Sequence, residues 1–144
     1  VYDVAMQDKE LDIPYMIGYT SEDIAPEQMR KAAVDWSLLL EQQGHHPAYV
    51  YCFRRDLPGE DMPAPEGGFG DMKGAFHSSE LWYMFGTLDK CWRPMEVADY
   101  ELSERMVSYW TNFAKSGNPN GADLPEWKPC TKADQHIQEL DVNK

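Results

Sequence analysis

Hydrophobic residues in the first part of the chain follow two different spacings, which predict a strand and then a helix. A nearly continuous apolar run within residues 12–20 predicts a strand buried on both faces, as in a parallel sheet. From residue 26 to about residue 43, apolar positions recur every three or four residues, and Gly44 stands where such a helix should end. The predicted apolar face of this helix contains Met29, Ala32, Ala33, Trp36, Leu39 and Leu40.

A second strand is predicted over residues 48–54, which are rich in aromatic and β-branched side chains. Strand, helix and strand in this order form the unit of a parallel sheet with a crossover helix. Residues 57–74 are then dense in proline and glycine, which predicts a long loop without regular structure. Because open α/β sheets place their sites at the carboxyl ends of the strands, this loop is a candidate location for function.

Three further elements are predicted in the second half of the chain. The apolar, aromatic run after His77 predicts a short helix that fixes the imidazole at the end of the loop. Residues 99–115 predict the clearest helix, which Gly117 and Pro119 end. Its apolar face contains Leu102, Met106, Val107, Trp110 and Phe113. Residues 135–140 predict a last short strand, within a helix and ribbon packed on the flank of the sheet.

Composition narrows the range of partners. The 144 residues are the size of one domain, and the formal net charge of −12 argues against nucleic acid, because no basic patch is present to neutralise phosphates. No run approaches the roughly 20 apolar residues that a membrane-spanning helix needs. The three cysteines, Cys52, Cys91 and Cys130, have neither the number of a disulfide scaffold nor the spacing of a zinc site. Cys52 is predicted to be a small buried hydrophobic residue, and no metal or cofactor is implied.

Carboxylates and one histidine follow the two predicted strands. Glu22 and Asp23 come just after the first strand, and His77 lies in the loop after the second. Since the carboxyl ends of parallel strands meet at one edge, acid and histidine should project together, as orientation of a base by a carboxylate requires. An acid after a strand often only caps the next helix, which is the alternative for Asp23. Glu80 is either a helix-start carboxylate or a second partner of the site.

Four segments, taken in order, resemble one enzyme family. Residues 14–23 (PYMIGYTSED) place a hydrophobic strand, a glycine and a few polar residues before an acid, and residues 75–81 (AFHSSEL) contain the histidine. Residues 109–120 (YWTNFAKSGNPN) form a late helix with its turn, and residues 124–127 (LPEW) a proline-tryptophan segment. Together they resemble the type-B carboxylesterases, the cholinesterase-like branch of the α/β-hydrolases.

The resemblance implies a serine esterase that hydrolyses small-molecule carboxylic esters with no cofactor and no metal. When the sequence is aligned on Gly18, the family's catalytic acid falls on Asp23, with Glu22 as the adjacent alternative. The family's catalytic base falls on His77. Trp82 is either a core residue or a wall of the substrate pocket.

The resemblance also implies that residues 1–144 are the carboxyl-terminal part of a single α/β-hydrolase domain. No Gly-x-Ser-x-Gly nucleophile elbow occurs in the sequence, and the family places its serine before the acid. The expected partner is therefore the amino-terminal portion of the same enzyme, and the chain alone is predicted to be inactive. Asp23 and His77 are only 54 residues apart, which is short for the family and predicts a missing segment near residues 23–27.

Two other functions stay open. Esterase-like domains that have lost their triad serve as non-catalytic interaction modules, although His77 and a plausible acid are retained here. A free-standing acidic α/β domain of unrelated function would require all four motif matches to arise by chance. The upstream gene sequence distinguishes the esterase from the interaction module, because a Gly-x-Ser-x-Gly elbow supports the enzyme and a substituted serine supports the interaction module.

Overall fold

The computed structural model describes residues 6–7, 11–63 and 72–142. In chain order the elements are β1 (Met16–Thr20), α1 (Pro26–Gln42), β2 (Tyr49–Phe53), α2 (Leu81–Met84), a 3₁₀ turn (Leu88–Lys90), α3 (Val97–Ser116) and β3 (Gln138–Leu140). The predicted strand, helix, strand order and the later helices are confirmed. Residues 64–71 of the predicted loop lie outside the described residues. Among the helices that are described, none has the length and apolar character needed to cross a bilayer.

The three strands form one parallel sheet in the order β1, β2, β3. Gly18 of β1 lies opposite Tyr51 of β2, and α1 makes the predicted crossover between these two strands. The last strand corrects one expectation, because Gln138–Leu140 joins the sheet beside β2 rather than packing on its flank. Leu140 is buried in the core that α3 covers. A strand of three residues is too short for its spacing to show where it pairs.

Helices cover both faces of the sheet. α1 packs on one face against Val50, and α2 and α3 pack on the other face against Phe53. β2 is thus buried on both sides, as predicted. β1 also contributes to both faces, through Met16 and Ile17, but these two side chains are only partly buried. This difference from the prediction follows from the position of β1 at the edge of the described sheet.

The buried face of α1 differs from the predicted one. It consists of Ala33, Val34, Ser37 and Leu40. Met29 and Ala32, which belong to the predicted apolar face, are exposed. Ser37 Oγ accepts a hydrogen bond from the Ala48 backbone N–H (2.7 Å) and donates one to the Cys130 carbonyl (2.6 Å). A polar residue on the buried side of a helix is invisible to a pattern of hydrophobic residues, so the predicted face was rotated.

α3 spans Val97–Ser116, slightly longer than the predicted range of residues 99–115. At the start of this helix, the backbone N–H of the N-cap residue Glu96 donates a hydrogen bond to Asp99 Oδ2 (2.8 Å). Asp99 is fully buried, and it also accepts hydrogen bonds from Arg55 Nε and from the Tyr83 hydroxyl, each at 2.7 Å. This carboxylate therefore ties α3 both to α2 and to the chain that leaves β2.

Candidate active site

The turn after β1 holds the Asp23 carboxylate in one orientation. Thr20, the last residue of β1, donates its hydroxyl to Asp23 Oδ2 (3.2 Å), and the Ile24 backbone N–H donates to Oδ1 (2.7 Å). Asp23 does not cap α1, because the N-cap residue is Ala25 and no side chain caps that helix. Only 5% of the Asp23 side chain is exposed. The local structure therefore fixes this carboxylate for a contact with another group.

His77 lies in the loop after β2, on a segment that is anchored just before it. Phe76 is buried in the core, and the Ala75 carbonyl accepts a hydrogen bond from the Glu22 backbone N–H (3.1 Å). That bond joins the histidine segment to the turn that carries the acid. Directly after the histidine, Ser78 adopts a left-handed conformation with φ 68°. For a residue with a side chain this conformation costs about 1–2 kcal/mol, so the sharp turn directly after His77 strains the backbone at Ser78.

The structure brings His77 and Asp23 into direct contact. Nδ1 of His77 lies 2.9 Å from Oδ2 of Asp23, although the residues are 54 positions apart in the chain. An ionised carboxylate can only accept hydrogen bonds, so Nδ1 carries the proton and donates it. In the neutral imidazole this leaves a lone pair on Nε2. The His77 side chain is 63% exposed, and no hydrogen bond to Nε2 occurs within the described part of the chain.

Each member of this pair shifts the pKa of the other. The hydrogen bond and the negative charge of Asp23 raise the pKa of His77 above its ordinary value of 6.5. For Asp23, burial acts to raise the pKa, but the hydrogen bonds from His77, Ile24 and Thr20 outweigh it and hold the pKa below 3.8. Asp23 is therefore ionised at neutral pH, as a carboxylate that orients a base must be.

The alternative acid, Glu22, lies among other carboxylates instead of beside the histidine. Burial, and then the neighbouring Asp56 and Glu60, raise the pKa of Glu22. A Cβ atom at Gly74 would collide with the Glu22 carboxylate, so the close approach of these two residues depends on the glycine. Of the two adjacent acids, the structure brings only Asp23 to His77.

Two buried polar atoms lie in the turn behind His77. Ser79 Oγ and one carboxylate oxygen of Glu80, Oε2, have no hydrogen-bond partner within the described residues. Burial raises the pKa of Glu80, and His77 and Asp23 are close enough to influence it electrostatically. Glu80 does not use its side chain to cap α2. Glu80 is nevertheless the N-cap residue of α2, so it stands at the start of this helix and also lies near the pair.

Trp82 is half-buried and packs edge-on against Phe76, with ring centroids 6.3 Å apart. Two surface grooves of the described chain lie elsewhere, one beside α1 and one beside α3. The described residues contain no group of three or more histidine, cysteine, aspartate or glutamate side chains arranged to hold a metal ion.

Sequence reasoning missed the contribution of Thr20. The available signal was its spacing, because a threonine three residues before an acid can reach that carboxylate at the end of a strand. It also missed Arg55 and Asp99, whose contact joins residues 44 positions apart and has no local signal.

The chain is similar to known proteins in its sequence and in its fold. The family model described as "Carboxylesterase family" matches residues 6–144. Carboxylesterase 4A of Bos taurus is 32% identical over 107 residues, which are 72% of this chain and 18% of that protein. Carboxylesterase 5A of Mus musculus is 57% identical over 74 residues, 48% of this chain and 13% of that protein. The chain thus spans less than a fifth of the length of these relatives.

A solved structure of a thermophilic pNB esterase is also similar to this chain. It superposes with a TM-score of 0.61 at 26% sequence identity, covering 83% of this chain and 23% of that chain. The parallel sheet with helices on both faces is accordingly part of an α/β-hydrolase fold. The family match over nearly the whole chain and this shared fold lead to one conclusion: the chain belongs to the carboxylesterase family.

Proposed function

We propose that this chain supplies the base and the acid of a serine carboxylesterase, with His77 as the base and Asp23 as the acid. The observation that carries the proposal is the 2.9 Å contact between Nδ1 of His77 and Oδ2 of Asp23. The two residues follow neighbouring parallel strands. The opposite ring nitrogen, Nε2, belongs to a largely exposed side chain and is available to a serine hydroxyl. This is the arrangement in which a carboxylate orients an imidazole for proton transfer.

The proposed reaction is ester hydrolysis through an acyl-enzyme. Nε2 of His77 takes the proton from a serine hydroxyl, whose oxygen attacks the ester carbonyl, and returns that proton to the leaving alcohol. Water then attacks the acyl-enzyme by the same route and releases the carboxylic acid. Asp23 stays ionised throughout, fixes the proton on Nδ1 and stabilises the imidazolium that forms.

The serine and its oxyanion donors must come from outside residues 1–144, because the sequence contains no nucleophile elbow. The proposed source is the amino-terminal portion of the same enzyme, since the carboxylesterase relatives are more than five times longer than the part matched here. Alone, the chain is expected to be inactive. In subtilisin, removal of the serine lowers kcat about a million-fold.

Glu80 is proposed to act behind the pair as a second carboxyl group. Its buried Oε2 and the buried Ser79 Oγ would gain hydrogen-bond partners from the amino-terminal portion, since leaving such groups unpaired costs about 1–3 kcal/mol each. Glu22 remains only the alternative acid, because its nearest charged neighbours are other carboxylates. Trp82, which packs beside Phe76, is retained as a candidate wall of the substrate pocket.

A tagged fluorophosphonate, which reacts covalently with activated serines, tests the proposal. The native preparation is treated with the probe and resolved on a denaturing gel. A labelled band that is distinct from the 16.6 kDa chain and co-purifies with it is expected, because the chain then completes an esterase in trans.

The other outcomes contradict the proposal in different ways. Absence of any labelled band from a preparation that contains the amino-terminal portion would favour a non-catalytic interaction module. A label on the 16.6 kDa chain itself would reveal a nucleophile within residues 1–144, and the assignment of the serine to another segment would be wrong. Pre-treatment with an unlabelled fluorophosphonate is the control that identifies specific labelling.

A further inference from the structure

One buried arginine joins the two ends of the loop that leads to His77. Arg93 is only 4% exposed. Its Nη1 donates to the Pro58 carbonyl (3.1 Å) near the start of the loop, and its Nη2 donates to the Met72 carbonyl (2.6 Å) near the end. The planar guanidinium carries donors on both terminal nitrogens and can therefore bridge two segments of backbone.

The same guanidinium also contacts the residue directly before the histidine. Its Cζ lies 5.6 Å from the centre of the Phe76 ring and 5.0 Å from that of Trp92. Both distances fall within the range of an attractive cation–π contact. Phe76 is buried and adjoins His77 in the chain, so a shift of its ring would move the histidine backbone.

No carboxylate pairs with Arg93 in the described part of the chain, where its partners are carbonyl oxygens and aromatic rings. A buried charge is costly unless hydrogen bonds compensate for its lost hydration. Arg93 is therefore expected to contribute less to the free energy of unfolding than an apolar residue of similar volume would. The specific geometry that it enforces, namely two loop ends and one ring held together, is what distinguishes it from such a residue.

We propose that Arg93 is a positioning residue for His77, because it fixes the segment from which the imidazole reaches Asp23. It secures that segment at Met72 and Phe76, while the hydrogen bond from the Glu22 N–H to the Ala75 carbonyl secures it against the acid turn. The significance of this inference rests on the proposed role of His77 as a base. The contact that it explains is the 2.9 Å hydrogen bond between the two side chains.

The pKa of His77 is a readout that a merely structural arginine would leave unchanged. It is measured from the pH dependence of the reaction of diethyl pyrocarbonate with His77, mapped by mass spectrometry on the whole chain at micromolar concentration. Among the described residues, the titratable groups that face His77 are Asp23 and Glu80, and the hydrogen bond to Asp23 is the main cause of its raised pKa. Arg93→Met and Arg93→Lys are both expected to lower this pKa towards 6.5.

The sign of the change separates positioning from simple electrostatics. Removing a positive charge without moving His77 would leave its pKa unchanged or raise it, because a nearby cation disfavours the imidazolium. Loss of the hydrogen bond to Asp23 lowers the pKa instead. Arg54→Met is the matched control, because Arg54 is a half-exposed arginine directly after β2 that pairs with Glu139, and its removal should not lower the pKa of His77. His46, which is exposed, serves as an internal reference for the reagent.

Arg93→Lys decides the question if Arg93→Met does not fold, since lysine retains the charge and the aliphatic stem but not the planar fork. A His77 pKa equal to that of the parent chain in folded Arg93→Lys overturns the proposal. A reduced pKa in both arginine variants, but not in Arg54→Met, supports it. The measurement needs no enzymatic activity, so its failure is distinct from a failure of fluorophosphonate labelling.

Discussion

The contact between His77 and Asp23 assigns different work to residues of the same chemical type. Three carboxylates, Glu22, Asp23 and Glu80, lie within a few residues of the site in sequence or space. Only Asp23 receives hydrogen bonds from its own turn and from the histidine, and only its pKa is lowered. Burial and neighbouring acids raise the pKa of Glu22, and burial raises that of Glu80.

Asp23→Asn should change both the rate and the pH dependence of the completed enzyme. The base must be neutral to accept a proton, so the activity of the parent enzyme rises with pH as the His77 imidazolium loses its proton. The midpoint of this rise should lie above pH 6.5, because the pKa of His77 is raised. Without the carboxylate the pKa of His77 falls, and the midpoint moves to lower pH. The corresponding substitution in a serine protease lowers kcat about 10⁴-fold, and a loss of kcat of that order is expected here. Both the loss and the shifted midpoint are measured in the pH–rate profile.

Glu22→Gln is the matched control for this experiment, because it removes the adjacent carboxylate and keeps the hydrogen bond to His77. Its midpoint should remain close to that of the parent enzyme. A larger loss of kcat in Glu22→Gln than in Asp23→Asn would mean that the acid has been assigned to the wrong residue.

Between elements, polar contacts add to apolar packing in fixing the relative placement of helices. Asp99 of α3 binds both Arg55 and the hydroxyl of Tyr83 in α2. Ser103 of α3 adds a hydrogen bond to the Tyr83 carbonyl (2.8 Å). α2 has only four residues and would not be stable alone, so these bonds keep the helix that follows His77 in place.

Ser37→Ala tests the polar contact that orients α1. The substitution leaves the Ala48 N–H buried without its 2.7 Å acceptor, and it frees the Cys130 carbonyl from a 2.6 Å donor. Loss of a buried partner costs about 1–3 kcal/mol, so the free energy of unfolding measured in urea should fall by that amount. Ser116→Ala, which removes an exposed hydroxyl at the end of α3, is the control and should change stability by less than about 0.5 kcal/mol. Equal effects would show that Ser37 does not fix the helix.

For the molecule as a whole, the position of β1 predicts self-association. Within the described residues no strand pairs with the outer edge of β1, and unpaired strand edges promote contact with other chains. Ile24 and Phe85, which flank the site in sequence, are also largely exposed. The isolated chain is expected to form larger species as its concentration rises in sedimentation velocity, and addition of the amino-terminal portion should suppress them.

A stable, monomeric 16.6 kDa species that unfolds cooperatively would contradict this expectation. The predicted missing segment near residues 23–27 also belongs to the whole molecule. It stays a prediction, which the gene sequence tests by showing whether further codons lie between Asp23 and α1.

Much of the architecture follows from local patterns in the sequence. Long periodic runs located α1 and α3, and aromatic and β-branched residues located β2, because spacing and burial are strongly coupled over several turns or a buried strand. The same local order placed Asp23 and His77 after neighbouring parallel strands, so their approach at one edge of the sheet was predictable.

Long-range contacts decided the rest. The buried face of α1 depends on Ser37 and its partners Ala48 and Cys130, which a hydrophobic pattern does not contain. The place of β3 in the sheet depends on its pairing with β2, far away in the chain. The sequence favoured Asp23 and left Glu22 open as the alternative, and it is the 2.9 Å hydrogen bond to His77 that separates the two acids. Such contacts join residues without any local signal, so only tertiary packing determines them.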